Sequence, residues 1–371
     1  MLIGIPKEIK DNEARVALSP LGIKDLTSLG NKIYVTKNAG INIGYSDEDY
    51  IKAGAIITEN NQHTYASAEL IVKVKEPQLE EIELLKKDQI IFSYLHLAAE
   101  KNLTLALLKK QIIAIAYETI TENNNLPLLQ PMSEVAGRLS VQCGALALQK
   151  NFGGKGILLG GVSGVEPGKV TIIGGGTAGT NAAYIANGMG ADVTIIEKSL
   201  IRIKELHNIF NNHVKILSAN QQTIEKYVTD TDLLIGAVLV PGTKAPKIIT
   251  KETVYKMKPG SVIVDISIDQ GGCIATSKPT THSNPIYEDH GILHYCVTNI
   301  PAIAAKTATR ALENATLPYI IALSTKGYKK SLQENKGFLA GLNIFYDTIT
   351  YKSVADAFSL DYTASEQILS I

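Results

Sequence analysis

An α/β architecture of two doubly wound parallel-sheet domains is predicted by three features of the 371-residue chain. Short β-branched runs alternate with stretches of helical composition along most of its length, and such alternation builds parallel sheets with helices on both faces. One of these runs, residues 170–173, feeds a glycine-rich turn that opens a helix. The pattern then divides at a polar turn, Asn123-Asn124-Asn125, followed by a link bracketed by Pro127 and Pro131.

Composition bounds what such a chain does. It is 45% hydrophobic and 19% charged, which places it with globular proteins rather than disordered ones. Lys+Arg and Asp+Glu balance at 36 each, so no global charge draws the chain to nucleic acid or an anionic membrane. No apolar run reaches the ~18 residues that span a bilayer. The N-terminal MLIGIPKEIK lacks the apolar region and cleavage site of a signal peptide. Cys143, Cys273 and Cys296 are few, odd in number and without metal-ligand spacing, so they read as reduced thiols. The expectation is a soluble, cytoplasmic protein without a metal, a membrane segment or a nucleic-acid partner.

The first domain is expected over residues 1–128, rejoined by the tail from about 305 to 371. Residues 2–5 read as a strand that Pro6 ends. Ser19-Pro20 opens a helix, with Ser19 as N-cap and Pro20 in the first turn, and Gly30 stops it. Strands follow near 33–36, 55–58, 70–74, 90–94 and 112–116, with helices near 79–86 and 99–110. Residues 129–304 form the second domain. Ser133 is placed as the cap of a long helix from 134 to about 149, closed by Gly153-Gly154. Further strands fall near 193–196, 214–217, 233–239, 262–266 and 293–297. Beyond Pro301 the tail reads as two helices, 302–314 and 317–326.

In the second domain, Gly174-Gly175-Gly176-Thr177-Ala178-Gly179 follows a strand and precedes a helix, and a second strand ends on Glu197. That order is the context a dinucleotide-binding fingerprint requires, so the second domain is read as the NAD-binding one. Gly174 permits the tight turn, Gly176 lets a pyrophosphate approach the backbone, and Gly179 lets the helix pack close to the strand. The phosphates then meet free N–H groups at a helix N-terminus. Glu197 accepts from both ribose hydroxyls and repels a 2′-phosphate, favouring NAD over NADP, with Arg202 nearby as a small counterweight.

Four reactive side chains stand at or just beyond carboxyl ends of expected strands: Arg15, Lys75, His96 and, in the second domain, Asp269. Open parallel sheets bind ligands there, so an interdomain active-site cleft is expected. The residue types suit an amino or keto acid. Arg15 offers a fork for a carboxylate, Lys75 holds the carboxylate or polarises a carbonyl, His96 moves a proton, and Asp269 pairs with an amine or orients water. Each also has a bland reading: a solvated loop charge, a surface lysine, a semi-buried histidine and a turn-shaping aspartate. Asp265, inside its strand, reads as structural.

At these residues the chain resembles the alanine dehydrogenase family. The matching segments are IGIPKEIKDNEARVALSP, LIVKVKEP, YLHLAAE, IAYETI, PMSEVAGRLS, GKGILLGGV, the glycine turn, AVLVPGTKAP, MKPGSVIVDISIDQGG and HYCVTNIP, in order over nearly the whole length. The resemblance implies two Rossmann-like domains, NAD-dependent deamination of L-alanine to pyruvate and ammonium, its reversal, and a homohexamer. It assigns acid/base roles to His96 and Asp269 and substrate binding to Arg15 and Lys75, with Tyr94 and Met132 near the substrate methyl. Its cofactor positions fall on Ser133, Thr177, Ala178, Glu197, Arg202, Val238, Leu239, Ile266, Ser267, Ile268, Asp269, Val297, Thr298, Asn299 and Ile300. The chain departs from the usual pattern at Ala302, where glycine is common, at Ala305, where proline is, and at Ala219, where serine is expected. Glu197 stands where aspartate is common. Three other readings stay open: the NAD-binding part of a transhydrogenase, an NAD-sensing relative without catalysis, and the same chemistry on another amino acid. Lys75 with YLHLAAE argues against the first, and the full set of four reactive residues against the second.

Overall fold

The computed structural model describes residues 1–123, 125–238 and 245–370, and among these described residues fifteen strands order the chain. Six come first: β1 (Leu2–Ile5), β2 (Lys32–Thr36), β3 (Ile56–Thr58), β4 (Leu70–Val72), β5 (Ile90–Ser93) and β6 (Ile112–Ala116). Seven follow: β7 (Lys169–Ile173), β8 (Asp192–Glu197), β9 (Lys215–Ser218), β10 (Leu233–Gly236), β11 (Val262–Asp265), β12 (Ile286–Asp289) and β13 (Ile292–Tyr295). The tail adds β14 (Leu342–Tyr346) and β15 (Thr348–Ile349). Two compact units result, one of Met1–Met132 with the tail from Ala304, the other of Ser133–Ile303.

The first unit holds a sheet of order β15-β14-β6-β5-β4-β1-β2-β3, the second a sheet of order β12-β13-β11-β10-β7-β8-β9. Every pairing inside them is parallel except at one edge of each, where β14 runs antiparallel to β6 and β15, and β12 to β13. The central strands are buried on both faces, which is why they read as unbroken apolar runs. Ile71, Ile91, Leu95, Leu107, Ala114 and Ile344 meet in the core of the first unit. Ile173, Ile196, Leu234, Ile263 and Cys273 meet in that of the second. Cys273 and Cys296 are buried free thiols.

The structure corrects four local expectations. The tail is not wholly helical, because β14 and β15 extend the first sheet. Its helix is continuous over Ala305–Lys326 with Pro318 inside. Proline removes one backbone bond there, and burial of Leu312, Thr316, Ile320 and Leu323 holds the helix together across it. Ser133 is not a cap: the helix spans Gln130–Ala147, starting early because Pro131 fits a first turn that needs no N–H. Ser19 stands at the cap position of Pro20–Ser28, but its hydroxyl donates to Glu313 at 3.0 Å instead of accepting from the helix.

Candidate active site

In the first unit the loops after β1, β4, β5 and β6 all leave the sheet at its carboxyl edge. The loop after β1 carries Arg15, which is 2% exposed. Glu13 takes one edge of its guanidinium, with Nε at 2.7 Å and Nη2 at 2.5 Å, and also accepts the Arg15 backbone N–H at 3.0 Å. Nη1 lies 3.1 Å from Met132 Sδ. These contacts fix the plane of the guanidinium, as carboxylate recognition by a planar fork requires.

Lys75 is half-buried beyond β4. Its backbone is fixed from beneath, since the Val74 N–H donates to Glu8 at 2.7 Å and the Tyr94 N–H donates to the Val74 carbonyl at 3.2 Å. Burial alone would raise the Glu76 carboxyl, but the Lys75 charge and the contact with Lys10 outweigh it and hold that group low. Tyr94 is buried, donates its hydroxyl to the Leu128 carbonyl at 2.5 Å, and meets Tyr117 edge-on. Burial pushes the Tyr94 phenol up, partly offset by the Arg15 charge, so it stays neutral.

His96 is exposed, its ring stacked on Tyr94 with centroids 6.0 Å apart and planes 12° from parallel. Its backbone is left-handed, with φ of 51°. Its N–H donates to Glu118 Oε1 at 2.6 Å, and that of Leu95 to the same oxygen at 3.2 Å. Thus Arg15 touches Met132, Tyr94 touches His96, and Lys75 follows the strand end hydrogen-bonded to Tyr94.

In the second unit β7 runs into Gly174, whose φ of 95° and close approach to Ala237, 2.7 Å from an added Cβ to its oxygen, exclude a side chain. Gly176 precedes the helix Thr177–Gly188, and a Cβ there would meet nothing within 4 Å. An open face above the first turn of a helix suits a pyrophosphate. A Cβ at Gly179 would stand 1.9 Å from the Gly174 oxygen. Gly179→Ala is therefore expected to push the helix off the strand, at about 1–3 kcal/mol. Thermal melting and NADH fluorescence titration should show a lower Tm and weaker dinucleotide binding. The helix Gln130–Ala147, which carries Ser133, packs on this turn, since a Cβ at Gly137 would lie 2.1 Å from the Ala178 oxygen.

Glu197 accepts the Gly175 N–H at 2.7 Å and the Ser199 N–H at 2.8 Å. Arg202 donates to the Gly175 carbonyl at 2.7 Å, Thr180 Oγ1 at 2.8 Å and Glu205 at 2.6 Å, so it braces the glycine turn. Asp269 is exposed on the tight turn Ile266–Gln270 and accepts the Asn299 N–H at 3.1 and 3.3 Å. Ser267 Oγ accepts the Val238 N–H at 3.0 Å. Val238, Ile266, Ser267, Ile268, Val297, Thr298, Asn299 and Ile300 thus lie at the carboxyl ends of β10, β11 and β13; Leu239 lies outside the described residues. The left-handed residue of the last loop is Asn299, with φ of 60°, and not Ala302, so no glycine is required at 302. Ala305 is the first residue of its helix, where alanine and proline both fit.

Sequence reasoning passed over Glu8, Glu13 and Glu118. Each follows a strand end by a few residues, but so do many solvated acids, and only tertiary pairing separates them. Among the described residues no acid, histidine and cysteine cluster has metal-binding geometry, and no helix is long and apolar enough to cross a membrane.

Family models described as "Alanine dehydrogenase/PNT, N-terminal domain" and "Alanine dehydrogenase/PNT, C-terminal domain" match residues 4–136 and 140–352. The chain is 52% identical to an alanine dehydrogenase of Methanococcus maripaludis over 100% of both chains. It is 50% identical to an alanine dehydrogenase of Bacillus subtilis, covering 100% of this chain and 98% of the other. A solved L-alanine dehydrogenase superposes with a TM-score of 0.94 at 47% identity, over 97% of this chain and 99% of that one. A transhydrogenase from Sinorhizobium meliloti shares the fold, with a TM-score of 0.80 at 22% identity, over 95% of this chain and 99% of that one.

Proposed function

Because the chain belongs to the alanine dehydrogenase/PNT family, we propose that it oxidises L-alanine with NAD and water to pyruvate, ammonium, NADH and a proton, and runs the reverse amination. The observation that carries this reading is the buried Arg15 fork, braced by Glu13 on the same unit as His96. The Arg15 guanidinium and the Lys75 ammonium hold the substrate carboxylate, and Met132 and Tyr94 wall the methyl. Bound NAD supplies the acceptor for the hydrogen on Cα. His96 takes a proton from the attacking water and returns it to the departing amine, and Asp269 pairs with that amine or orients the water. Each Glu197 oxygen already accepts one N–H and has a lone pair left for a ribose hydroxyl, which supports NAD over NADP. Ser133, Thr177, Ala178, Arg202 and the loops after β10, β11 and β13 complete the cofactor site.

The test is absorbance at the NADH band on adding L-alanine, glycine, L-serine and L-lysine in turn. Growth of the band with alanine and NAD supports the assignment. A flat trace at saturating alanine and NAD overturns it, and hydride exchange between two nicotinamide cofactors without alanine would point to a transhydrogenase component. Glu13→Gln is expected to raise KM for alanine about tenfold or more, the worth of one charge-assisted hydrogen bond, with a smaller change in kcat; steady-state kinetics read it. We also propose a cytoplasmic homohexamer. Leu158, Val162, Val165, Leu200 and Ile201, each more than 60% exposed, support self-association, and light scattering would give the mass.

A further inference from the structure

We propose that Glu118 is a positioning residue for the reaction, acting through the backbone of His96; the proposal rests on the acid/base role of His96. β5 and β6 pair in parallel, with Ser93 opposite Ala116. That register sets the tight turn Tyr117–Thr119 beside the three residues that follow β5. Two successive N–H groups, of Leu95 and His96, then converge on Glu118 Oε1 at 3.2 and 2.6 Å, and Oε2 lies 3.3 Å from the Leu95 nitrogen. Consecutive N–H groups aimed at one anion form a nest, and an anion in it favours the turn that aims them. Here the turn includes the left-handed conformation of His96, φ 51° and ψ 34°, which a β-carbon disfavours.

The consequence reaches the imidazole. A left-handed backbone at residue 96 turns the Cα–Cβ bond away from the course of β5, and the ring then stacks on Tyr94 at 6.0 Å. Tyr94 is fixed in turn by the Leu128 carbonyl and by Tyr117. The carboxylate holds the peptide, and the peptide aims the ring. Without the carboxylate, residue 96 relaxes toward an ordinary conformation and the imidazole swings off the ring of Tyr94.

Glu118→Gln removes the charge while keeping the shape. Its kcat for alanine oxidation is expected to fall tenfold or more, with KM for alanine and Kd for NADH within threefold of the parent. The deciding comparison places the same substitution in His96→Ala, with residual turnover measured with and without added imidazole. Free imidazole needs no aiming, so Glu118→Gln should cost less than twofold in that background. An unchanged kcat in the single variant overturns the proposal. So does an equal loss in both backgrounds, which is what a purely structural role or misfolding would give. Failure of the underlying role shows separately, as full turnover by His96→Ala alone.

Discussion

His96→Ala is expected to lower kcat for alanine oxidation roughly 10²–10⁴-fold, the usual worth of a positioned general acid/base, with little change in Kd for NAD. The residues proposed to hold NAD are in the second unit, whereas His96 projects from the first. The truncation also leaves the substrate grip alone, because Arg15 is set by Glu13 and Met132 and not by the imidazole. Asp269→Asn should act in the same direction, since the amide keeps its size but loses the charge that would meet an amine. It should also loosen the loop after β13, because Asp269 accepts the Asn299 N–H. The measurements are kcat in both directions and NADH binding by fluorescence quenching. Unchanged kcat in both variants would sink the assigned roles; lost NADH binding in His96→Ala would mean the ring supports structure instead.

Local chemistry made much of this fold legible. The largely apolar runs at 70–74, 90–94 and 112–116 read as strands because a parallel sheet covered on both faces favours apolar residues, and strands form there at 70–72, 90–93 and 112–116. The glycine turn was legible because steric demands leave no alternative at Gly174 or Gly179. What escaped was decided by partners far along the chain. β14 is a strand because β6 offers it an edge, and its pairing is irregular between Leu342 and Ile344, so no period marks it. Ser19 has a cap's identity and position, yet Glu313 claims its hydroxyl from 294 residues away. The site divides the same way. Arg15, Lys75, His96 and Asp269 stand out as candidates because cations, a histidine and an acid after strand ends have a chemical use. Glu13 and Glu118 look like any loop acids until the fold sets them against a guanidinium and a pair of peptide N–H groups.

Lys73→Met should be the most destabilising single change outside the chemistry, and its cost should depend on pH. Lys73 falls inside the expected strand 70–74, and the structure buries it completely. Its ammonium meets Glu8 at 3.0 Å and Glu81 at 2.7 Å, two carboxylates as buried as itself. Glu81 also accepts the Gln78 N–H at 2.9 Å, and Glu8 the Val74 N–H at 2.7 Å, so the trio ties the loops after β1 and β4 together. Methionine fills the volume but leaves both acids without a cation, which costs about 3–5 kcal/mol. For a unit of this size that is a Tm lower by roughly 6–20 °C. The sign with pH follows from Glu8. Burial raises its carboxyl above the ordinary 4.5, and the Lys73 charge only partly opposes that rise. A raised acid binds more protons folded than unfolded, so stability falls as pH climbs from 4.5 through the folded value. Removing Lys73 widens that window, because the largest opposing charge is gone. The deficit of the variant should therefore be greatest at pH 8 and shrink as pH is lowered toward 5, and melts of both proteins at the two values read it directly. The same deficit at both pH values would mean that lost packing, not the stranded carboxylates, sets the cost. Adding Glu8→Gln and Glu81→Gln to Lys73→Met should recover part of the loss at pH 8, since neutral amides carry no charge that burial must offset.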